Sequence, residues 1–176
     1  MISQGEPYWY AFTTKPRHEK KVKTFLENTD VTSYLPLRKV LSQWSDRKKW
    51  VEKPLFPSYI FCHIPYNQRY TVLQIPGMVR VVGFNQTPMP VKDYEIETMK
   101  MILAQDFDIH VKNGLVVGDH VRISSGVMYG YEGWIVEERG KYYFVLQIHT
   151  INKSILVDSR HLKLEKIDTV SMIHQV

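Results

Sequence analysis

The sequence predicts an α+β fold: a first domain with a largely antiparallel sheet flanked by helices, then a small five-stranded β-barrel. Two observations carry that prediction. Strand, helix, hairpin, strand, strand and helix patterns succeed one another within about the first 100 residues, as in a mixed domain around an antiparallel sheet. Beyond residue 114, five short strand-like runs occur without a helix, with turns carrying Gly118, Gly126, Gly130, Gly133 and Gly140, which fits a small barrel. The expected limits are 1–104 for the first domain, 105–114 for a polar connector, and 115–176 for the barrel with its C-terminal tail.

Each element has its own signal. The opening "YWYAFTT" alternates as a strand, with Trp9 and Ala11 on one face and Tyr10 and Phe12 on the other. Pro16 suits a first helical turn, and Val22, Phe25 and Leu26 take the spacing of an amphipathic helix that Asn28 and Asp30 end. Alternation through Leu37 to Trp44, resumed at Trp50 after "SD" at 45 and 46, predicts a long basic hairpin. "SYIFCHI" is apolar at nearly every interior position, as in a central strand covered on both faces. A short helix or turn in "YNQRYTVLQI", a strand in "GMVRVVGF" and a turn in "TPMP" follow. In "DYEIETMKMIL", Ile96, Met99 and Leu103 share a helical face, and Asp93 and Glu95 favour the positive N-terminal end. The barrel strands are "DHVRIS", "EGWIVEE", "YYFVLQI", "SILVD" and "LKLE".

Composition narrows the function classes. A chain of 176 residues holds one ordinary domain or two small ones, and 44% hydrophobic with 23% charged residues is a folded composition. No apolar run approaches the roughly 20 residues that span a bilayer, and "MISQGEPYWYAF" does not read as a signal peptide. The single cysteine, Cys62, excludes an intramolecular disulfide and any multi-cysteine zinc site. The expected compartment is the cytoplasm, with no membrane partner.

The sequence offers binding surfaces and no catalytic constellation, so no enzyme activity, metal or cofactor is expected. It lacks the glycine-rich phosphate loop and the dinucleotide fingerprint, and its seven histidines never take a close metal-ligand spacing. Cys62 and His63 are adjacent on a strand and point to opposite faces, a poor nucleophile and base pair. The net charge of +5 is localised instead. "KPRHEKKVK" at 15–23 has five basic residues and one acid, and residues 36–53 have six and two. Charge runs are often solvated faces, but a basic helix beside a basic hairpin carrying Trp44 and Trp50 favours nucleic acid: phosphates need the charge, and exposed bases stack on rings. The alternative for the tryptophans is packing on the sheet.

Taken together, "WYAFTTKPRHEKKV", "PLFPSYIFCHI", "IPGMVRVVGF" and "GDHVRISSGVMYGYEGWIVEE" resemble the NusG family of transcription elongation factors, in the right order and over nearly the whole chain. The resemblance implies an N-terminal NusG domain and an SH3-like KOW barrel, with Gly126 and Gly133 at the usual glycine positions. The "SQWSDRKKW" hairpin and the "INK" stretch look closest to the specialised RfaH and UpxY-type antiterminators, the latter acting on polysaccharide operons. The implied function is elongation and antitermination: binding RNA polymerase through the N-terminal domain and raising processivity.

The same resemblance implies sites and partners. Phe56, Pro57, Tyr59 and Phe61 match an apolar surface that docks on the clamp helices of the polymerase large subunit, Phe56 standing at the strand edge. Lys15 and Lys21 match basic residues that touch the non-template DNA strand, and Arg17 and His18 neighbour them; nascent RNA is the other candidate. Ser58 stands where the general factor commonly has glycine, a replacement expected to be tolerated. Ile75 and Pro76 replace the Thr-Arg pair of RfaH, so an RfaH-type DNA hairpin is not implied as the target. The KOW domain of the family meets a small-subunit ribosomal protein or a termination factor; Ile151 matches an apolar contact there, and a core role suits it equally. The competing class is a ribosome-associated, RNA-binding KOW protein. That reading puts the charge in the wrong domain, because residues 115–176 are neutral.

Overall fold

Burial on both faces of β1 (Pro7–Thr14) sets up the first sheet: Tyr10 and Phe12 join one core cluster, and Trp9 and Ala11, also buried, face the other side. The computed structural model describes residues 5–43, 47–85, 87–114 and 116–167. Trp44, the "SD" at 45 and 46, and the C-terminal tail from residue 168 lie outside the described residues. The chain divides into two compact units, Met1–Ile96 and Glu97–Val176, each taken by itself below.

In the first unit, α1 (Glu19–Glu27) buries Val22 and Leu26 and keeps Phe25 at its margin, as its spacing predicts. Pro16 lies ahead of the helix rather than in its first turn. At the other end the Asn28 side chain donates to the Thr24 carbonyl at 2.9 Å, satisfying one of the carbonyls that a helix end leaves unpaired. β2 (Thr32–Tyr34) is short. β3 (Leu37–Gln43) and β4 (Lys48–Pro54) form the expected basic hairpin as a separate two-stranded ribbon. β5 (Tyr59–Pro65) is paired on both sides, between β2 and β1, so the continuous apolar run of "YIFCHI" is that of a central strand.

After a 3-10 turn at Tyr66–Gln68, α2 (Arg69–Leu73) buries Val72. β6 (Met78–Val81) extends the sheet from β1, while β7 (Gly83–Phe84) and β8 (Thr87–Pro88) make a separate short ribbon. The segment read as a turn, "TPMP", contributes strand pairing: β9 (Pro90–Val91) lies on β1 next to Trp9 and Tyr10. Proline suits this short flanking strand, where its missing N–H costs least. Tyr10, Phe12, Ile60, Cys62 and Ile64 cluster with Val22 and Leu26 of α1 and Val72 of α2, which is the main core of the unit.

α3 (Asp93–Ala104) forms where predicted, with Asp93 and Glu95 in its first turn. Its buried residues are Glu95, Ile96, Thr98, Met99 and Ile102, and Leu103 is only half-buried. The buried arc is wider than apolar spacing alone indicates because it includes a threonine and a glutamate whose carboxylate accepts the Lys92 N–H.

The second unit is a six-stranded antiparallel sheet, one strand more than expected. β10 (Ile109–Asn113) occupies half of the stretch read as a polar connector; Ile109 and Val111 alternate there, and the flanking Asp106 and Asp108 hide the pattern. β11 (Asp119–Ile123), β12 (Glu132–Glu138), β13 (Lys141–Ile148), β14 (Lys153–Asp158) and β15 (Leu164–Lys166) match the five predicted runs, and the strand order is β10-β14-β13-β12-β11-β15. Phe144, Leu146 and Ile148 are fully buried, as are Val157 opposite Phe144 and Ile155 opposite Leu146. Gly133 permits close packing, since a Cβ there would stand 2.6 Å from the Phe144 ring.

Candidate functional site

Two turns of one pattern build the candidate site. In "KPRH" the His18 N–H donates to the Lys15 carbonyl at 3.1 Å, with Pro16 second and Arg17 third at φ +62. In "FPSY" the Tyr59 N–H donates to the Phe56 carbonyl at 3.2 Å, with Pro57 second and Ser58 third at φ +64. Proline followed by a left-handed residue is the signature of a type II turn, whose third position ordinarily takes glycine. Neither turn has glycine there. Holding a side chain in that region costs on the order of 1–2 kcal/mol, and such strain persists only where surroundings impose it.

The surroundings are visible. The Thr14 N–H donates to the Ser58 carbonyl at 2.9 Å, joining the end of β1 to the second turn. The Ser58 N–H donates to Glu19 Oε1 at 2.7 Å, and Glu19, the one acid of the basic run, is buried. The Lys15 N–H donates to the Gly77 carbonyl at 2.8 Å. Gly77 itself has φ +97 and passes so close to α1 that a Cβ would meet Val22 at 3.1 Å. The basic turn and the apolar turn are thus fastened to each other and to α1. Glu19 and Gly77 are the residues that sequence reasoning missed; a lone carboxylate among five bases was the available signal for Glu19.

The proposed residues fall into two groups. Lys15, Arg17 and Lys21 are exposed and His18 is half-buried, with its Nδ1 3.0 Å from the Pro16 carbonyl. Lys21 extends over the Phe25 ring at 5.8 Å. Pro57 is exposed and Tyr59 half-buried, whereas Phe56 and Phe61 are fully buried. Phe56 therefore does not stand free at the strand edge. Tyr59, Phe61 and His63 share one face of β5 with Ala11 and Trp9 of β1, as their pairing requires. Ring contacts tie this face together: Trp9 to His63 at 5.0 Å and Tyr34 to Phe61 at 6.4 Å. Ile151, in a 3-10 turn of the second unit, is 5% exposed, the burial of a core residue.

Cys62 lies on the opposite face, in the core, where burial pushes its thiol up to about 12. A thiol held so far above neutral pH is no nucleophile.

The chain matches the family described as "Transcription termination factor nusG" over residues 7–100. It is 22% identical to the "Transcription termination/antitermination protein NusG" of Halalkalibacterium halodurans, over 92% of this chain and 99% of that one. Among solved structures it resembles the one titled "Domain interaction in Thermotoga maritima NusG", with a TM-score of 0.52 and 25% identity over 94% of this chain and 100% of that one. The matched span of 7–100 contains the whole of β1, both proline turns, α1 and the central strand β5, and on that ground the chain belongs to the NusG family of transcription antitermination and elongation factors.

Proposed function

We propose that this factor docks on the clamp of the RNA polymerase large subunit through the "FPSY" turn and the adjoining face of β5, while Lys15, Arg17, His18 and Lys21 hold the non-template DNA strand or the nascent RNA. The observation that carries this is the fastening of the two strained turns side by side, which sets the exposed Pro57 and the half-buried Tyr59 next to the basic residues ahead of and within α1. An edge of that kind bridges protein and nucleic acid. Bridging across the nucleic-acid channel disfavours clamp opening, so the closed, processive state gains population by the differential binding energy. No chemical step is needed, and pausing and termination fall.

The second unit is read as the family's SH3-like KOW barrel, with a small-subunit ribosomal protein or a termination factor as its partner. The "SQWSDRKKW" hairpin supports a specialised antiterminator acting on particular operons, such as polysaccharide biosynthesis loci.

Burial decides which variant tests the docking surface. Replacing the fully buried Phe56 by alanine would cost about 3–5 kcal/mol of folding stability, which confounds any binding result. Tyr59 reaches solvent. A pull-down of core RNA polymerase by the Tyr59→Ala protein is expected to fall at least about tenfold, as for an aromatic anchor, with Tyr59→Phe retaining most of it. Unchanged retention by a folded Tyr59→Ala protein would remove this surface from consideration.

A further inference from the structure

The β3–β4 ribbon has an inner and an outer face, and its outer face is the unusual one. Register places Leu41 directly opposite Trp50, with Lys39 opposite Glu52 on one side and Gln43 opposite Lys48 on the other. Residues directly opposite share a face. Along β3, exposure alternates: Lys39, Leu41 and Gln43 are exposed, while Arg38, Val40 and Ser42 are half-buried. Across the ribbon Trp50 and Glu52 are exposed and Val51 is half-buried. The face turned to solvent thus carries the large apolar pair, Trp50 at 66% exposure and Leu41 at 50%. A lone exposed leucine is ordinary, but a tryptophan and a leucine paired on an outer face form a patch that marks a binding surface.

Charge identifies the occupant. Six basic residues against two acids fill positions 36–53. Lys39 and Lys48 flank the apolar pair on its own face, with Arg47 and Lys49 exposed nearby. Successive same-face residues of a strand lie about 7 Å apart, so Lys48 stands one same-face step from Trp50 and Lys39 one step from Leu41, where it faces Glu52 across the ribbon. An aromatic platform with cations beside it is the arrangement that binds unpaired nucleic acid, because a base offers its face only when it is not stacked within a duplex.

We propose that the outer face of the β3–β4 hairpin is a single-stranded nucleic-acid site, with Trp50 stacking on an unpaired base, Leu41 extending the apolar platform, and Lys39 and Lys48 holding the phosphates on either side. This site is separate from the Lys15–Lys21 edge and needs no polymerase, so it stands or falls independently of the docking reading.

The test is fluorescence anisotropy of the full chain with labelled 12-residue oligo-dT and oligo-U, and with a duplex of equal length, across a range of salt. Trp50→Ala is expected to weaken single-strand binding about tenfold and leave duplex binding and thermal melting unchanged; Trp50→Phe should retain most of the affinity. Lys39→Gln with Lys48→Gln should flatten the salt dependence of single-strand binding, which Trp50→Ala leaves in place. Undiminished single-strand affinity in Trp50→Ala would overturn the proposal. So would an equal loss on duplex, or a loss seen only for polymerase in the pull-down, which would make the patch a protein-binding surface.

Discussion

Ser58 shows how one residue can be tolerated where its backbone prefers another. At φ +64 a serine is strained and a glycine is not, yet the Ser58 N–H is held by the buried Glu19 carboxylate at 2.7 Å. That hydrogen bond anchors the turn in which the strained serine sits. Two effects separate by mutation. Ser58→Gly should raise stability by up to about 1 kcal/mol, since it relieves strain and keeps the hydrogen bond. Glu19→Ala should lower it by about 1–3 kcal/mol by leaving the Ser58 N–H unpaired, with Glu19→Gln close to the parent protein. Denaturant unfolding of the three variants checks both; equal stability of Glu19→Ala and Glu19→Gln would show that the hydrogen bond contributes nothing.

At the scale of elements, the end of β14 has a pH-dependent cap. The Asp158 carboxylate accepts from the Arg160 side chain at 2.9 Å and from the Arg160 backbone N–H at 3.0 Å, closing the 3-10 turn at Ser159–His161. The Arg160 side chain first, and its backbone N–H second, hold the Asp158 carboxyl below its ordinary value of 3.8. A carboxyl depressed in the folded state contributes stability above its unfolded value near 4, and that contribution disappears as pH falls through the folded value. Asp158→Asn should therefore be less stable than the parent between about pH 5 and 8, with the gap closing below about pH 4. A gap that does not change with pH would assign the effect to packing. The same scale explains the misread elements: β10 is short and flanked by acids, and β9 contains a proline, so neither has the uninterrupted alternation that marks a strand.

For the whole molecule, charge is the property that sequence places well and structure refines. The excess lies in residues 1–114, and the described fold divides it between α1 with the turn before it and the β3–β4 ribbon. Neutralising Lys15 and Lys21 together should reduce the slope of log affinity against log salt by about 0.7 for each single-strand phosphate that is no longer neutralised. A titration of labelled single-stranded DNA measures that slope, and an unchanged value would place the nucleic acid elsewhere. The longer strands and helices of the first unit, the central position of β5 and the five strand runs of the second unit were legible, because each rests on periodicity that local sequence displays, whereas the short β2, β9 and β10 were not. The family was legible too, from four motifs in order.

By itself the sequence determined the types of the longer elements, the mixed α+β architecture and the family, since these follow from local pattern and ordered motifs. Only the tertiary structure decided which side chains of the candidate site reach solvent. Phe56 and Pro57 are neighbours in one turn, yet the first is fully buried and the second exposed. Trp50 could have packed on a sheet, but strand register turns it outward. Glu19 reads as one more surface charge until the fold brings the Ser58 N–H, 39 residues away, to its carboxylate. Exposure and long-range hydrogen bonding depend on residues distant in sequence, and that information is set by packing rather than by any local period.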